Sequence, residues 1–575
     1  MKSVGWVLGV AAFVSAGLVA GGQTPAQTTD DMLRAMQTEL QRSRSLQAGD
    51  TGAPYYVEYA LDDVESYQAV ASMGGTLVSD HARARVPRVD VRVGDYTFDN
   101  TNYPGAGGRG GISSLPIDGD ATTIRRGFWI LTDALYKNAV EALTRKKTAL
   151  MNVTQQDTLN DFARAQPTTT ILPLRKMEFK DDQWRQTAVT VSSVFKDYPM
   201  IVGSLVTVQA NYSNSYFVNS EGSSYRFADD LLTFRVTATA QAKDGMPVSE
   251  ATSVVARTPG GWIAEAEMRR IATEVAKDVA ALVDAPMAES YSGPVLIEGD
   301  ASPQLLAQLI GPNLSLARRI AGGAGRAGGR GGAGGSATTG EWEGRVGSRV
   351  LPDWMDLVDD ATRESYKGRE LLGYYPIDME AVVPKPITLV ERGLLKNYLM
   401  TRQPVTGYEG SNGHARLPGA NGAKLAAFSN LFVQAHDTVT EAALKTRFLD
   451  MLKQRGKPYG IIVRKIDFPQ SGSSTGIRLR AGATAVAPPL MAYKVYPDGR
   501  EELVRGLSFA SINLRGLRDI TAASDQEHIF EYIAQSGSYI TGQSVIAPSI
   551  LFEDMDLDRR EADWPKPPIV PPPGR

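Results

Sequence analysis

The sequence predicts an α+β protein of two domains, each rich in antiparallel β-sheet with packed helices, and three observations lead to this fold class. The chain has 575 residues, which is more than one ordinary domain contains. Its hydrophobic content of 42% and charged content of 22% are typical of a globular protein. Segments that alternate apolar and polar residues between turns, as antiparallel strands do, occur in groups with helical patterns around them. We place the domain boundary at Pro286, so the two domains are residues 28–286 and 287–563.

The N-terminal domain is predicted to contain four helices. Their apolar residues recur at helical spacing, and the last helix stops before Pro286. The four segments are Thr29–Leu46, Thr122–Met151, Asp182–Lys196 and the stretch that runs from Met268 to Leu282.

Strands are predicted between these helices. Residues 55–100 read as an antiparallel meander, and Leu232–Gln241 alternates between a buried and a polar face. Two further strands are expected at Ser204–Tyr212 and Ser215–Asn219, followed by a turn at Asn219–Gly222.

The C-terminal domain is predicted to be mostly strands. Ile387–Met400 reads as a hairpin that turns at Glu391–Gly393. Residues 321–336 form a glycine-rich low-complexity segment, which we expect to be a mobile loop, and residues 564–575 form a proline-rich tail. The remaining predicted strands are Asn430–Gln434, Gly460–Asp467, Ile477–Ala481 and Leu490–Tyr496.

The first 26 residues have the pattern of a signal peptide. Lys2 precedes an apolar run from Val4 to Ala20, and small residues follow it. We therefore expect a periplasmic or secreted protein without a stable membrane anchor, and the alternative is that this segment is retained as an anchor. The net charge of −3 gives no indication of binding to nucleic acid.

The residue inventory excludes several kinds of site. The chain has no Cys, which rules out disulfides, thiolate zinc ligands and cysteine nucleophiles. Its four His residues are too far apart in sequence to form an HExxH zinc helix.

The stretch Gly293–Pro312 reads as a strand followed by a helix. We predict Ser302 as the helix N-cap, Pro303 in the first helical position and a stop at Gly311–Pro312. Glu298 and Asp300 could form an acid–base pair, but carboxylates near a helix start also simply complement its dipole.

Other candidate residues are weaker. Gly472–Gly476 matches the G-x-S-x-G nucleophile elbow, but a strand-like segment follows where a helix is required. His414 lies in a glycine-rich loop that could line a cleft, and we take Asn412, His414 and Arg416 as candidate peptide-cleft residues. We interpret His436–Asp437 and Glu527–His528 as surface pairs.

An ordered series of motifs resembles the TldD/PmbA family of metallopeptidase subunits, and more closely its PmbA (TldE) branch. The resemblance covers roughly Tyr55 to Leu557 and is looser in the first half, where VNSEG and the order of elements agree. The motifs are PVLIEGDASPQLLAQLIGPNLS, LPDWMDLVDD, GYYPIDMEAV, ITLVERGLLKNYLMTR, SNGHARLPG, SNLFVQAHD, LVRGLSFASINLRGL and APSILFEDMDL.

The resemblance implies that this chain holds no metal and has no catalytic residues of its own. In a TldD-type subunit the matching segment carries HExxxH, which binds zinc and supplies a general base. Here Glu298 and Gly299 stand where the first His and the Glu would be, and Pro303 stands where the second His would be. The further Cys ligand is absent as well.

Three functions follow as hypotheses. In the first, the chain is the metal-free partner of a zinc-bearing, TldD-like HExxxH subunit, and the heterodimer degrades unfolded peptides. In the second, it is a stand-alone periplasmic peptide-binding or scaffold protein. In the third, it is itself an enzyme that uses Glu298, Asp300 or His414 with another cofactor.

Overall fold

The computed structural model of the chain describes ten stretches of residues. They are residues 30–47, 52–103, 114–151, 159–175, 180–318, 340–419, 422–468, 486–510, 514–536 and 539–565. The predicted signal peptide, glycine-rich loop, G-x-S-x-G segment and strand at Ile477–Ala481 lie outside the described residues, as does the tail after Pro565.

Five of the six α-helices of the described residues lie close to their predicted positions, and the sixth, α6, was not predicted. The first begins after Asp30, whose carboxylate caps it by accepting hydrogen bonds from the amides of Met32 and Leu33. The α-helices are α1 (Asp31–Ser43), α2 (Ala121–Leu150), α3 (Asp181–Ser192), α4 (Glu265–Asp284), α5 (Ala301–Ile310) and α6 (Glu441–Gln454).

The first sheet is built from strands that precede α4. Its order is β2-β1-β4-β5-β3, and β6 pairs with part of β5. These strands are β1 (Tyr56–Ser72), β2 (Gly75–Arg92), β3 (Thr169–Ile171), β4 (Ile201–Asn219), β5 (Ser224–Gln241) and β6 (Pro247–Ala256). One face of this sheet packs against α3 and α4.

The second sheet is built from strands that follow α4. Its main path runs β12-β11-β8-β15-β22-β7-β17-β18-β19. In chain order the strands are β7 (Tyr291–Ile297), β8 (Met355–Asp359), β9 (Ser365–Tyr366), β10 (Arg369–Glu370), β11 (Ile387–Glu391), β12 (Leu394–Leu395), β13 (Ala415–Pro418), β14 (Lys424–Ala426), β15 (Asn430–Ala435), β16 (Thr438–Val439), β17 (Gly460–Ile466), β18 (Pro489–Val495), β19 (Glu501–Val504), β20 (Leu507–Phe509), β21 (Ile520–Ser536) and β22 (Tyr539–Arg559). The pairs β9–β10 and β13–β14 are separate small hairpins.

The α+β fold class is confirmed, but two local predictions are wrong. The predicted meander at 55–100 is a long hairpin of β1 and β2. The two strands predicted at 204–219 are one strand, because Ser213 and Asn214 stay paired with Val64 and Asp63 on one side and with Asp229 and Ala228 on the other. Polar residues do not interrupt a strand when both of its edges are bonded.

The predicted turns are confirmed. The amide of Gly222 donates to the carbonyl of Asn219 in the turn between β4 and β5. In the hairpin of β11 and β12, Arg392 and Gly393 both have positive φ, at 45° and 72°. Two consecutive residues of this kind are typical of a tight hairpin turn.

Helix α5 starts earlier than predicted. It begins at Ala301, so Ser302 lies inside the helix and is not its N-cap, and its hydroxyl donates to the carbonyl of Pro548 at 2.6 Å. The predicted stop at Gly311 is confirmed. The helix buries an apolar stripe whose members have no exposed surface; they are Leu305, Leu306, Leu309 and Ile310.

Candidate functional site

The turn between β7 and α5 carries the residues that the sequence resemblance singled out. β7 lies between β17, to which it is parallel, and β22, to which it is antiparallel. Its burial on both sides explains the apolar run Val295–Ile297. The chain then turns over Glu298, Gly299 and Asp300, where Gly299 has a φ of +62°.

The carboxylate of Glu298 is held in an ion pair. It accepts a hydrogen bond from Nε of Arg464 at 2.6 Å, and the same guanidinium donates to Glu501 at 2.8 and 3.0 Å. Lys445 adds a bond to Glu501 at 2.6 Å. Burial lowers the pKa of Arg464, but its hydrogen bonds with Glu501 and Glu298 raise it overall. A carboxylate bound in this way is poorly placed to act as a general base.

Gly299 and Pro303 have structural contacts. The amide of Gly299 donates to Oγ of Ser549 at 3.1 Å, which ties the turn to β22. Pro303 is buried in the first turn of α5, where a missing amide hydrogen is tolerated. Neither residue offers a side-chain atom that could bind a metal ion.

A polar cluster lies beside this turn. Nε2 of His528 is 2.9 Å from Oε1 of Glu441, and Oγ of Ser549 is 3.3 Å from both atoms. In a hydrolytic triad the serine and the carboxylate contact different ring nitrogens, whereas here both contact Nε2. Ser549 is also only 1% exposed, so its hydroxyl is not accessible as a nucleophile.

His528 differs from its predicted role as half of a surface pair with Glu527. Its partner is Glu441 at the start of α6, while Glu527 binds Tyr366 and Lys367. The sequence carried no signal for this, because residues 441 and 528 are 87 positions apart. The other predicted pair also differs, since His436 binds Asp356 at 2.6 Å.

Asp300 is the least constrained carboxylate of the turn. Its side chain keeps access to solvent. The surrounding protein nevertheless desolvates it and raises the pKa of its carboxyl group, although the charges of His528 and Arg369 oppose that shift. No group of three or more His, Asp or Glu residues suited to a metal ion occurs among the residues that the structure describes.

The predicted cleft residues lie together but serve the fold. His414 has no exposed surface, so its side chain does not line an open cleft. Its Nε2 is 2.9 Å from Oδ2 of Asp359, and its Nδ1 is 3.0 Å from the carbonyl and side-chain oxygens of Asn412. Asp359 also accepts two hydrogen bonds from Ser429, at 2.8 and 2.6 Å.

Asn412 and Arg416 are partly exposed. The side chain of Asn412 accepts from the amide of Met400 and donates to the carbonyl of Tyr398, both at 2.8 Å. The guanidinium of Arg416 stacks 3.9 Å from the ring centre of Tyr375 and binds Thr541. Both residues are therefore engaged within the chain.

The outer edge of β2 is an open strand edge. Residues 75–83 are all exposed, and β1 is the one strand that pairs with them in the described part of the chain. Leu77 and Val78 are 59% and 42% exposed. An exposed strand edge of this kind can receive another extended chain.

No helix within the described ranges is long and apolar enough to cross a membrane. The predicted export and location are not tested by this observation and stay predictions.

The C-terminal half matches a known family, and the whole fold has solved counterparts. Residues 290–559 match the PmbA/TldA metallopeptidase C-terminal domain. TldE from Thermococcus kodakarensis superposes with a TM-score of 0.56 at 11% identity, over 91% of this chain and 100% of that one. A Thermotoga maritima protein described as a modulator of a DNA gyrase superposes with a TM-score of 0.54 at 15% identity, over 87% and 96%.

Two curated proteins are similar over a shorter region. A metalloprotease of Methanocaldococcus jannaschii is 30% identical over 102 residues, which is 18% of this chain and 21% of that protein. A metalloprotease of Archaeoglobus fulgidus is 28% identical over 94 residues, which is 16% and 20%. The similarity thus spans about a fifth of the length of each of these relatives.

Proposed function

The chain belongs to the TldD/PmbA family, and from this premise we propose that it is the metal-free subunit of a zinc peptidase. Its role is in proteolysis, as the metalloprotease names of its relatives support. In this proposal a second, TldD-like subunit supplies HExxxH, zinc and the general base. The substrates are unfolded peptides, and the complex works in the periplasm or outside the cell.

The contacts that the residues of the β7–α5 turn make within the chain carry the proposal. Glu298 is bound to Arg464, the Gly299 amide is bound to Ser549, and Pro303 is buried in α5. The turn therefore keeps the architecture of a strand that leads into a helix, and its contacts stabilise that architecture. A zinc site needs neutral imidazole or carboxylate ligands with an open coordination position.

The test measures zinc content and peptide hydrolysis of the purified chain, alone and mixed with a candidate HExxxH-bearing subunit. We expect both zinc and hydrolysis in the mixture, and neither of them in the sample of this chain alone. Glu298→Gln in this chain should leave the activity of the mixture unchanged, because the residue has no part in the chemistry. Metal-dependent hydrolysis by the isolated chain would contradict the proposal.

The open edge of β2 favours a second candidate, a stand-alone peptide-binding protein. Such binding uses backbone hydrogen bonds and tolerates varied side chains. It predicts that the isolated chain binds a fluorescent unfolded peptide, and that N-methylation of alternate peptide amides abolishes binding. Equal binding of both peptides would exclude strand pairing, whereas binding only in the mixture would favour the subunit role.

A further inference from the structure

A cluster of buried and partly buried charged residues joins the first sheet to the second half of the chain. β1 and β2 supply Glu58 and Asp90, and the second half of the chain supplies Asp378, Glu380 and Lys424. Glu58, Asp378 and Glu380 are 5%, 1% and 2% exposed. Charges at this depth interact strongly, because little water screens them.

Lys424 spans the contact between the halves. Its Nζ lies 2.5 Å from Oε1 of Glu58 and 3.2 Å from the carbonyl oxygen of Met379. The other oxygen of Glu58 accepts a hydrogen bond from the hydroxyl of Tyr56 at 2.8 Å. Because of this pairing the pKa of Glu58 is lowered overall, even though burial acts to raise it.

The two carboxylates on the other side of Lys424 are held differently. Asp378 accepts hydrogen bonds from the amides of Glu380, Val382 and Ala415 at 2.8–3.0 Å. Glu380 accepts one from the amide of Arg402 at 2.6 Å. Burial raises the pKa of Asp378, but these three backbone hydrogen bonds oppose the shift, so Asp378 is better stabilised as an anion than Glu380.

The neighbouring cations are already engaged. The guanidinium of Arg402 binds Glu221 at 2.7 Å and the carbonyl of Ala163 at 2.7 and 2.9 Å. The guanidinium of Arg92 binds Asp90 at 3.0 Å and Asp99 at 3.2 Å.

Negative charge is therefore in excess around Glu380. The cations Lys424, Arg402, Arg92 and Arg88 are shared among the carboxylates Glu58, Asp90, Asp378, Glu380, Glu221, Asp99 and Asp62. Burying such an excess is costly, and retaining a proton relieves it. Burial raises the pKa of Glu380 to about 7, the charge of Asp378 adds to the shift, and Lys424 and Arg402 oppose it.

We propose that Glu380 is a proton-operated latch between the two halves of the chain. The protonated carboxyl holds the contact around Lys424 closed, and ionisation of that carboxyl loosens it. In the closed form the pKa is near 7, whereas in an opened form it returns towards 4.5, the ordinary value for this side chain. The stabilisation is therefore complete at acidic pH, declines as the pH rises from about 5 to 7, and is lost above 7.

Hydrogen exchange of the amides in β13 and β14 tests the latch, after correction for the intrinsic pH dependence of exchange. The opened population should rise about tenfold per pH unit between pH 5 and 7 and then level off, as one released proton requires. Glu380→Gln is a neutral mimic of the protonated acid, so its opened population should not show this tenfold rise per pH unit. Glu391→Gln is the matched control, because Glu391 is 59% exposed and pairs with Lys396 on the surface.

Infrared spectroscopy supplies a second measurement. At pH 6 the unaltered protein should show the carbonyl band of a protonated carboxylic acid that Glu380→Gln lacks and Glu391→Gln retains. A flat exchange profile of the unaltered protein between pH 5 and 7 would overturn the proposal, and this holds even if the variant fails to fold. Identical infrared spectra of the protein and Glu380→Gln would overturn it too.

Discussion

Two charge clusters, one at the β7–α5 turn and one between the two halves of the chain, use similar residues under different conditions. In the β7–α5 turn, Glu298 faces one guanidinium and retains access to water, with 20% of its side chain exposed. Between the two halves, Glu380 is 2% exposed and shares its cations with several other carboxylates. The comparison teaches that burial and the ratio of cations to carboxylates decide how strongly the surroundings of a carboxyl group favour its protonated form.

The largest expected difference comes from removing one cation from each cluster. Lys424→Met leaves Glu58 buried without its ion pair, and we expect a loss of about 3 kcal/mol in the free energy of unfolding. Arg464→Met acts on a pair that water reaches, and we expect a loss of about 1 kcal/mol or less. Denaturant unfolding of both variants at pH 7 measures the two values, and equal losses would contradict the contrast.

A smaller effect is expected from the backbone of the β7–α5 turn. No atom lies within 4 Å of a Cβ added at Gly299, so Gly299→Ala meets no clash and its cost arises from the φ of +62°. We expect a loss of about 1 kcal/mol in the free energy of unfolding. Gly410→Ala is the control, because that position is equally open and its φ is not in the left-handed region. If both variants unfold alike, the turn does not depend on its glycine.

The smallest effect concerns the acid side of the pH range. The hydrogen bond from Arg464, together with Lys445, lowers the pKa of Glu501 overall, although burial opposes this. That stabilisation is present above the ordinary pKa of a glutamate and is lost as the pH falls through the lowered value. Glu501→Gln should therefore reduce the free energy of unfolding by about 0.5 kcal/mol at neutral pH and by less near pH 3. An equal reduction at both pH values would show that the ion pair is not responsible.

Local features of the fold could be predicted from the sequence. The apolar run of β7, the stripe of α5 and the hairpin turn at Arg392–Gly393 depend on neighbouring residues, and the sequence pattern reports them directly. The start of α5 was predicted two residues too late, because Ser302 has the chemistry of a cap but uses its hydroxyl to bond Pro548.

Long-range pairings could not be predicted. His414 lies in a glycine-rich loop, yet Asp359, which lies 55 positions earlier, draws it into the interior. The latch at Glu380 requires β1, the loop at Asp378 and β14 to meet, and no periodicity in the sequence signals that meeting.

The long spacing of partners in the second sheet has a consequence for the order of assembly during synthesis. The first sheet is made mostly of hairpins, and β4 and β5 are joined by a turn of a few residues, so these ladders can close soon after they are made. β7 must wait for β17, and the amide of Gly299 finds Ser549 only 250 residues later. The turn that carries Glu298 is therefore completed only after Ser549 has left the ribosome, and until β17 has been made β7 is an apolar strand without its parallel partner that depends on protection from aggregation.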